Sequence, residues 1–132
     1  MNKLLLFFCL LASTSVFSDL KSDLDNQINP LMDKVIEWRH DIHQNPELSN
    51  REYRTAKKIE AHLRSLGIKV ETKIAYTGVV GLIEGALPGP TIALRADMDA
   101  LPVVEKTGLP FASKDKTKYL GQTVGIMHAC GH

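Results

Sequence analysis

The residues best equipped for chemistry stand at the end of the chain. Met127-His128-Ala129-Cys130-Gly131-His132 places two imidazoles and a thiol within five consecutive positions. Such a donor set suits a divalent transition metal ion. Cys130 and His132 are two apart with glycine between them, so on an extended segment both side chains point the same way and can reach one ion. Gly131 lets the backbone bend there with no side chain in the way. Spacing alone leaves a second reading open, a buried cysteine beside surface histidines.

A pair of acids weighs toward the first reading. Asp97 and Asp99 also lie two apart, just past an apolar run. Two carboxylates on one face repel unless something positive lies between them. A metal ion, its bound water or Arg95 could supply that charge, and a carboxylate beside a ligating histidine would fix the tautomer of that ring. The plainer alternative is that the two acids cap the loop that follows.

The elements that must position these groups are legible in the periodicity. Asp19 to Asn29 is polar and reads as an approach segment. Asn29-Pro30 pairs a capping residue with proline at a first helical position, and Leu31, Val35, Ile36, Trp38 and Ile42 recur at helical spacing until Asn45-Pro46 ends the helix. Trp38 is expected in the core. Ser49-Asn50-Arg51-Glu52 has the form of a capping box, and a second helix follows through Tyr53, Ala56, Ile59, Leu63 and Leu66 to Gly67. Arg51, Arg54, Lys57 and Lys58 read as its solvated face. Ile68, Val70, Thr72 and Ile74 then alternate as a half-buried strand, Gly78 to Gly85 as a second, and Thr91 to Arg95 as a third that runs into the Asp97/Asp99 cluster. Residues 100 to 124 read as loop. Helices followed by strands predict an α/β layered domain, with functional groups gathered where strands end.

Composition narrows the class of protein. The 132 residues carry a net charge of +1, which gives no footing for nucleic acid. Lys3, the apolar run Leu4 to Ala12 and the small polar residues Ser13 to Ser15 have the form of a signal peptide, cut after Ser18. The apolar run is shorter than the roughly 20 residues needed to span a bilayer, which argues against a stable membrane anchor. Loss of Lys3 from the sixteen basic residues leaves fifteen against fifteen acidic. The cut also removes Cys9 and leaves Cys130 as the sole thiol, so no internal disulfide can form. The chain is expected to be exported, to the periplasm or the medium, with 1–18 as signal peptide, 19–29 as approach segment and 30–132 as the folded part.

Four ordered motifs carry a resemblance. Arg39-His40-Asp41-Ile42-His43-Gln44-Asn45-Pro46-Glu47-Leu48, then Glu52 and Thr55, then Arg95-Ala96-Asp97-Met98-Asp99-Ala100-Leu101-Pro102, then His128-Ala129-Cys130-Gly131-His132 resemble the hippurate hydrolase and indoleacetyl-amino-acid hydrolase subfamily of the aminoacylase-type metallopeptidases, in their N-terminal part. The resemblance implies that Cys130 and His132 are metal ligands, that Asp99 orients the centre and that Asp97 supports it. It implies one or two divalent ions per subunit, manganese, zinc, nickel or cobalt. It implies hydrolysis of the amide in small N-acyl-amino acids or peptide-like substrates, by an amidohydrolase or carboxypeptidase.

The family's α/β catalytic domain is interrupted by a lid or dimerisation domain. A homodimer is thus open for the complete enzyme. The family's other ligands and its general-base glutamate lie further along than His132. The expectation is therefore an incomplete, inactive piece of the catalytic domain without the lid domain. A small exported metal-binding module, using His128, Cys130 and His132 for binding alone, is the rival reading.

Overall fold

The structure is a computed structural model that describes residues 19–131. The signal-peptide reading of 1–18 and the predicted ligand His132 lie outside the described residues. The described residues divide into two units, 19–39 and 40–131.

In the first unit the polar approach segment is helical. Helix α1 is described over residues 19–28 and passes through a 3-10 turn, Asn29–Leu31, into α2, Met32–Gln44. The expected start at Asn29 is thus corrected: Ile28 stands at the cap position with helical backbone and no side-chain capping bond. Pro30 has no N–H to give to a regular helical ladder, and a tight 3-10 turn absorbs the defect. No residue of α2 is buried, so the apolar stripe of Leu31, Val35 and Ile36 stays exposed and Trp38 is half-buried rather than core. The Lys34 ammonium lies over the Trp38 ring, 5.8 Å from its centre.

The second unit begins with the last turn of α2. That turn ends as expected at Asn45-Pro46, where the Asn45 side-chain amide donates to the Asp41 carbonyl at 2.8 Å. Helix α3, Tyr53–Ser65, stops at Gly67, whose φ of +74° is the left-handed value a helix terminus favours. The Ile68 N–H then reaches back to the Leu63 carbonyl at 3.2 Å. Strands β1, Lys69–Ile74, and β2, Gly78–Leu82, form an antiparallel hairpin that packs on α3. The close approach is at Gly81, where an added Cβ would meet Ile68 and Leu63 side-chain carbons at 3.2 and 3.3 Å.

Two strand expectations change. Residues 91–95 form no strand, and Ile92 and Leu94 are 82% and 97% exposed. An extended segment becomes a strand only when a neighbour takes its backbone groups, and no described residue does so. Conversely, part of the stretch read as loop is a second antiparallel hairpin, β3 Lys116–Tyr119 with β4 Gln122–Gly125. Its two-residue turn, Leu120-Gly121, has positive φ at both positions, 48° and 78°. Such turns match the twist of a hairpin, but Leu-Gly is a weak signal beside Asn-Gly. Among the described residues, Leu48, Val70, Ala100 and Ile126 have buried apolar side chains.

Candidate functional site

Backbone pairing draws three of the four motifs together. Ala100 forms a parallel bridge to Leu48, with its N–H on the Glu47 carbonyl at 2.8 Å. Leu101 forms an antiparallel bridge to Met127, with N–H to O distances of 3.0 and 3.1 Å in the two directions. The acid motif therefore lies between the Asn45-Pro46-Glu47-Leu48 turn and the segment that carries Cys130. A cluster of residues far apart in sequence is thereby fixed by main-chain hydrogen bonds, which depend little on side-chain identity.

Glu47 holds the entry to α3. Its carboxylate accepts the Arg54 N–H at 3.0 Å, the Thr55 N–H at 2.8 Å and the Thr55 hydroxyl at 2.9 Å. These are the free donors of the first helical turn, and a carboxylate there also meets the positive end of the helix dipole. The capping box expected from Ser49 does not form: Glu52 occupies the cap position without a side-chain capping bond. Its buried carboxylate instead accepts the Asn50 N–H at 3.0 Å and the Thr77 hydroxyl at 2.5 Å, tying the helix entry to the first hairpin. Nor is the basic stretch of α3 simply solvated. Lys58 and Arg54 both pair with Asp41, the latter at 2.6 Å, and the Lys58 hydrogen bond above all, helped by Arg54 against the opposing effect of burial, holds the Asp41 carboxyl below its ordinary range. Arg51 donates to the Lys118 carbonyl at 2.9 Å, joining that entry to β3.

The predicted site residues are placed unequally. Asp99 is half-buried and borders a small cavity of about 140 Å³ with Ser49, Arg51 and Tyr119. Asp97 makes a two-pronged ion pair with Arg95, 2.8 Å to Nε and 2.7 Å to a terminal nitrogen. Arg95, one of the charge sources left open above, stands beside Asp97. Cys130 is an exposed free thiol just before Gly131, whose φ is +83°. Among the described residues no three His, Cys, Asp or Glu side chains converge on a point that could hold a metal ion.

Sequence reasoning missed Glu105. Its side chain is 0% exposed and accepts from His43 Nε2 at 3.0 Å, the Thr107 hydroxyl at 2.5 Å and the Ser113 N–H at 2.5 Å. Burial pushes its carboxyl up, but the bonds from Thr107, His43 and Ser113 outweigh burial and hold it below the usual range. Around this pair His40 stacks on Phe111 at 3.8 Å, His43 meets the same ring edge-on at 5.7 Å, and His43 and His128 lie 6.4 Å apart, centre to centre. The one signal was an acid set directly after Val103-Val104.

Helices beside small antiparallel sheets, with the Cys130 segment paired to an acid-bearing loop, make an α/β arrangement that matches part of the catalytic domain of solved peptidases. No family model matches the chain. It is 50% identical over 115 residues to thermostable carboxypeptidase 1 of Saccharolobus solfataricus, covering 86% of this chain and 27% of that protein. It is 48% identical over 105 residues to N-acetyl-L-cysteine deacetylase of Bacillus subtilis, covering 80% of this chain and 23% of that protein. The crystal structure of the Bacillus subtilis YXEP protein, a dinuclear metal-binding peptidase of the M20 family, matches with a TM-score of 0.67 and 43% identity over 78% of this chain and 27% of that one. The homologues of this chain are thus M20-family amidohydrolases and carboxypeptidases, as the motifs implied. The chain spans about a quarter of the length of the relatives it matches.

The thiol of Cys130 is a donor of the right chemistry for such an ion. The described residues alone do not complete a site, since metal centres of this kind use at least three protein ligands.

Proposed function

We propose that this chain supplies the Cys130/His132 motif to a metal-dependent amidohydrolase acting on small N-acyl-amino acids of the hippurate type. The observation that carries the reading is the pairing of the acid motif with both partners, Leu48 to Ala100 and Leu101 to Met127. It sets the Asp97/Asp99 loop beside the segment that bears the thiol. In this reading Cys130 and His132 are ligands, Asp99 orients the centre and Asp97 supports it through Arg95. One or two ions of manganese, zinc, nickel or cobalt serve; a thiolate donor favours the softer choice, zinc. No nucleic acid is a partner in this reading, which leaves a homodimer of the complete enzyme open. Residues 1–132 alone bind metal weakly and do not turn over substrate.

In a complete enzyme that carries this segment, Cys130→Ser should lower bound metal, measured by atomic emission, and activity on hippurate together. An unchanged metal stoichiometry would remove Cys130 from the site. Tight metal binding by the 132-residue chain without hydrolysis would instead favour the small metal-binding module. Export is part of the same reading, with residues 1–18 removed. Finding Met1 at the N-terminus of cytoplasmic protein would refute it.

A further inference from the structure

A buried carboxylate with three donors fixed around it is a rigid point, because each partner left unmatched in a dry interior is costly. Glu105 is such a point: one oxygen takes His43 and Thr107, the other takes the Ser113 main chain. It thereby joins the last turn of α2 to the loop that supplies Phe111. Because Glu105 accepts, His43 must carry its proton on Nε2. That fixes the plane of a ring that meets Phe111 at 83° and His128 at 37°. His128 is two residues from Cys130, in a segment otherwise fixed by the Leu101–Met127 bridge.

We propose that Glu105 is a positioning residue: through the His43 ring, packed against Phe111 and His128, it sets the path of the segment that carries Cys130. This rests on the reading of residues 127–132 as the metal-binding segment. Neither Glu105 nor His43 touches the ion; they act through geometry.

The test is Glu105→Gln in the full 132-residue chain. Glutamine fills the same volume but offers a single acceptor. If its oxygen keeps the Ser113 N–H, its NH2 faces His43 Nε2, and the ring must change to the Nδ1–H tautomer. Nitrogen-15 NMR of the histidines should show Nε2–H for His43 in the wild type and Nδ1–H in the variant, with resonances of Met127 to Cys130 moving alongside. Cobalt(II) alone is the second probe, read by its thiolate charge-transfer band, and its affinity should fall about 10- to 100-fold, the usual cost of losing an outer partner of a metal site.

An Nδ1–H His43 in the wild type, or a variant with unmoved Met127 to Cys130 resonances, overturns the proposal. A wild type without the thiolate band would mean that residues 1–132 hold no cobalt by themselves, and the NMR arm then decides on Glu105. Should Glu105→Gln lose its helical circular dichroism, His43→Gln takes its place. Its amide can still reach Glu105 but gives no ring to Phe111 and His128, so the Met127 to Cys130 resonances must move; unmoved ones refute the role.

Discussion

Replacing Glu47 by alanine should unfold much of the second unit's margin of stability while touching no metal donor. Three hydrogen bonds end on this carboxylate, two from the main chain of the first turn of α3 and one from the Thr55 hydroxyl. Arg54 is exposed, so water can replace the acceptor for its N–H. Thr55 is 1% exposed, so its groups have no such recourse. Loss of a helix cap costs about 1 kcal/mol. A buried polar group stranded without its partner adds about 1–3 kcal/mol. The expected loss is about 2–4 kcal/mol, against a total of about 5–15 kcal/mol for an ordinary domain.

Urea unfolding followed by far-ultraviolet circular dichroism reads this directly. With a slope of about 1–3 kcal/mol per molar urea, the midpoint should drop by roughly 1–2 M. Glu47→Gln keeps one acceptor and should lose about half as much. Thr55→Val combined with Glu47→Ala should show a coupling of about 1 kcal/mol, because the two side chains share one bond. A Glu47→Ala chain within about 0.5 kcal/mol of wild type would mean that the helix entry is capped by water, and the reasoning would fail.

Two further outcomes follow from particular contacts. Gly78→Ala places a Cβ 2.5 Å from the Ile74 carbonyl oxygen, a main-chain atom that can move only with the hairpin, so a loss of about 1–3 kcal/mol and disturbed β1–β2 amide signals are expected; an unchanged melting curve would contradict the tight turn. Acid should destabilise the fold through Asp41 and Glu105, both held below their ordinary range in the folded chain. A carboxyl lowered by folding contributes stability above its unfolded pKa, about 4, and loses that contribution as pH falls through the folded value. Melting temperatures should therefore be level from pH 7 to about pH 5 and decline below about pH 4. A decline centred near pH 6.5 would point to histidine instead.

The sequence by itself determined what is local. Helical spacing placed α3, and Gly67 ended it where it does end. Alternation placed β1. Residue chemistry alone put forward Cys130 and the Asp97/Asp99 pair as candidates, and the ordered motifs pointed to the family of the relatives. Where two residues meet across a long stretch of chain, the sequence was silent. Residues 91–95 have a strand's composition but no strand, since pairing needs a neighbour that composition cannot supply. Glu47 was noticed as a motif residue, yet its part as the cap of a helix six residues later depends on how the Asn45-Pro46 turn points its side chain.

Glu105 and His43 are 62 residues apart, and neither type nor spacing predicts the pair. A hydrogen bond needs its partners within about 3 Å and correctly aimed. Only the folded backbone, here the Leu48–Ala100 and Leu101–Met127 bridges, fixes which groups come that close.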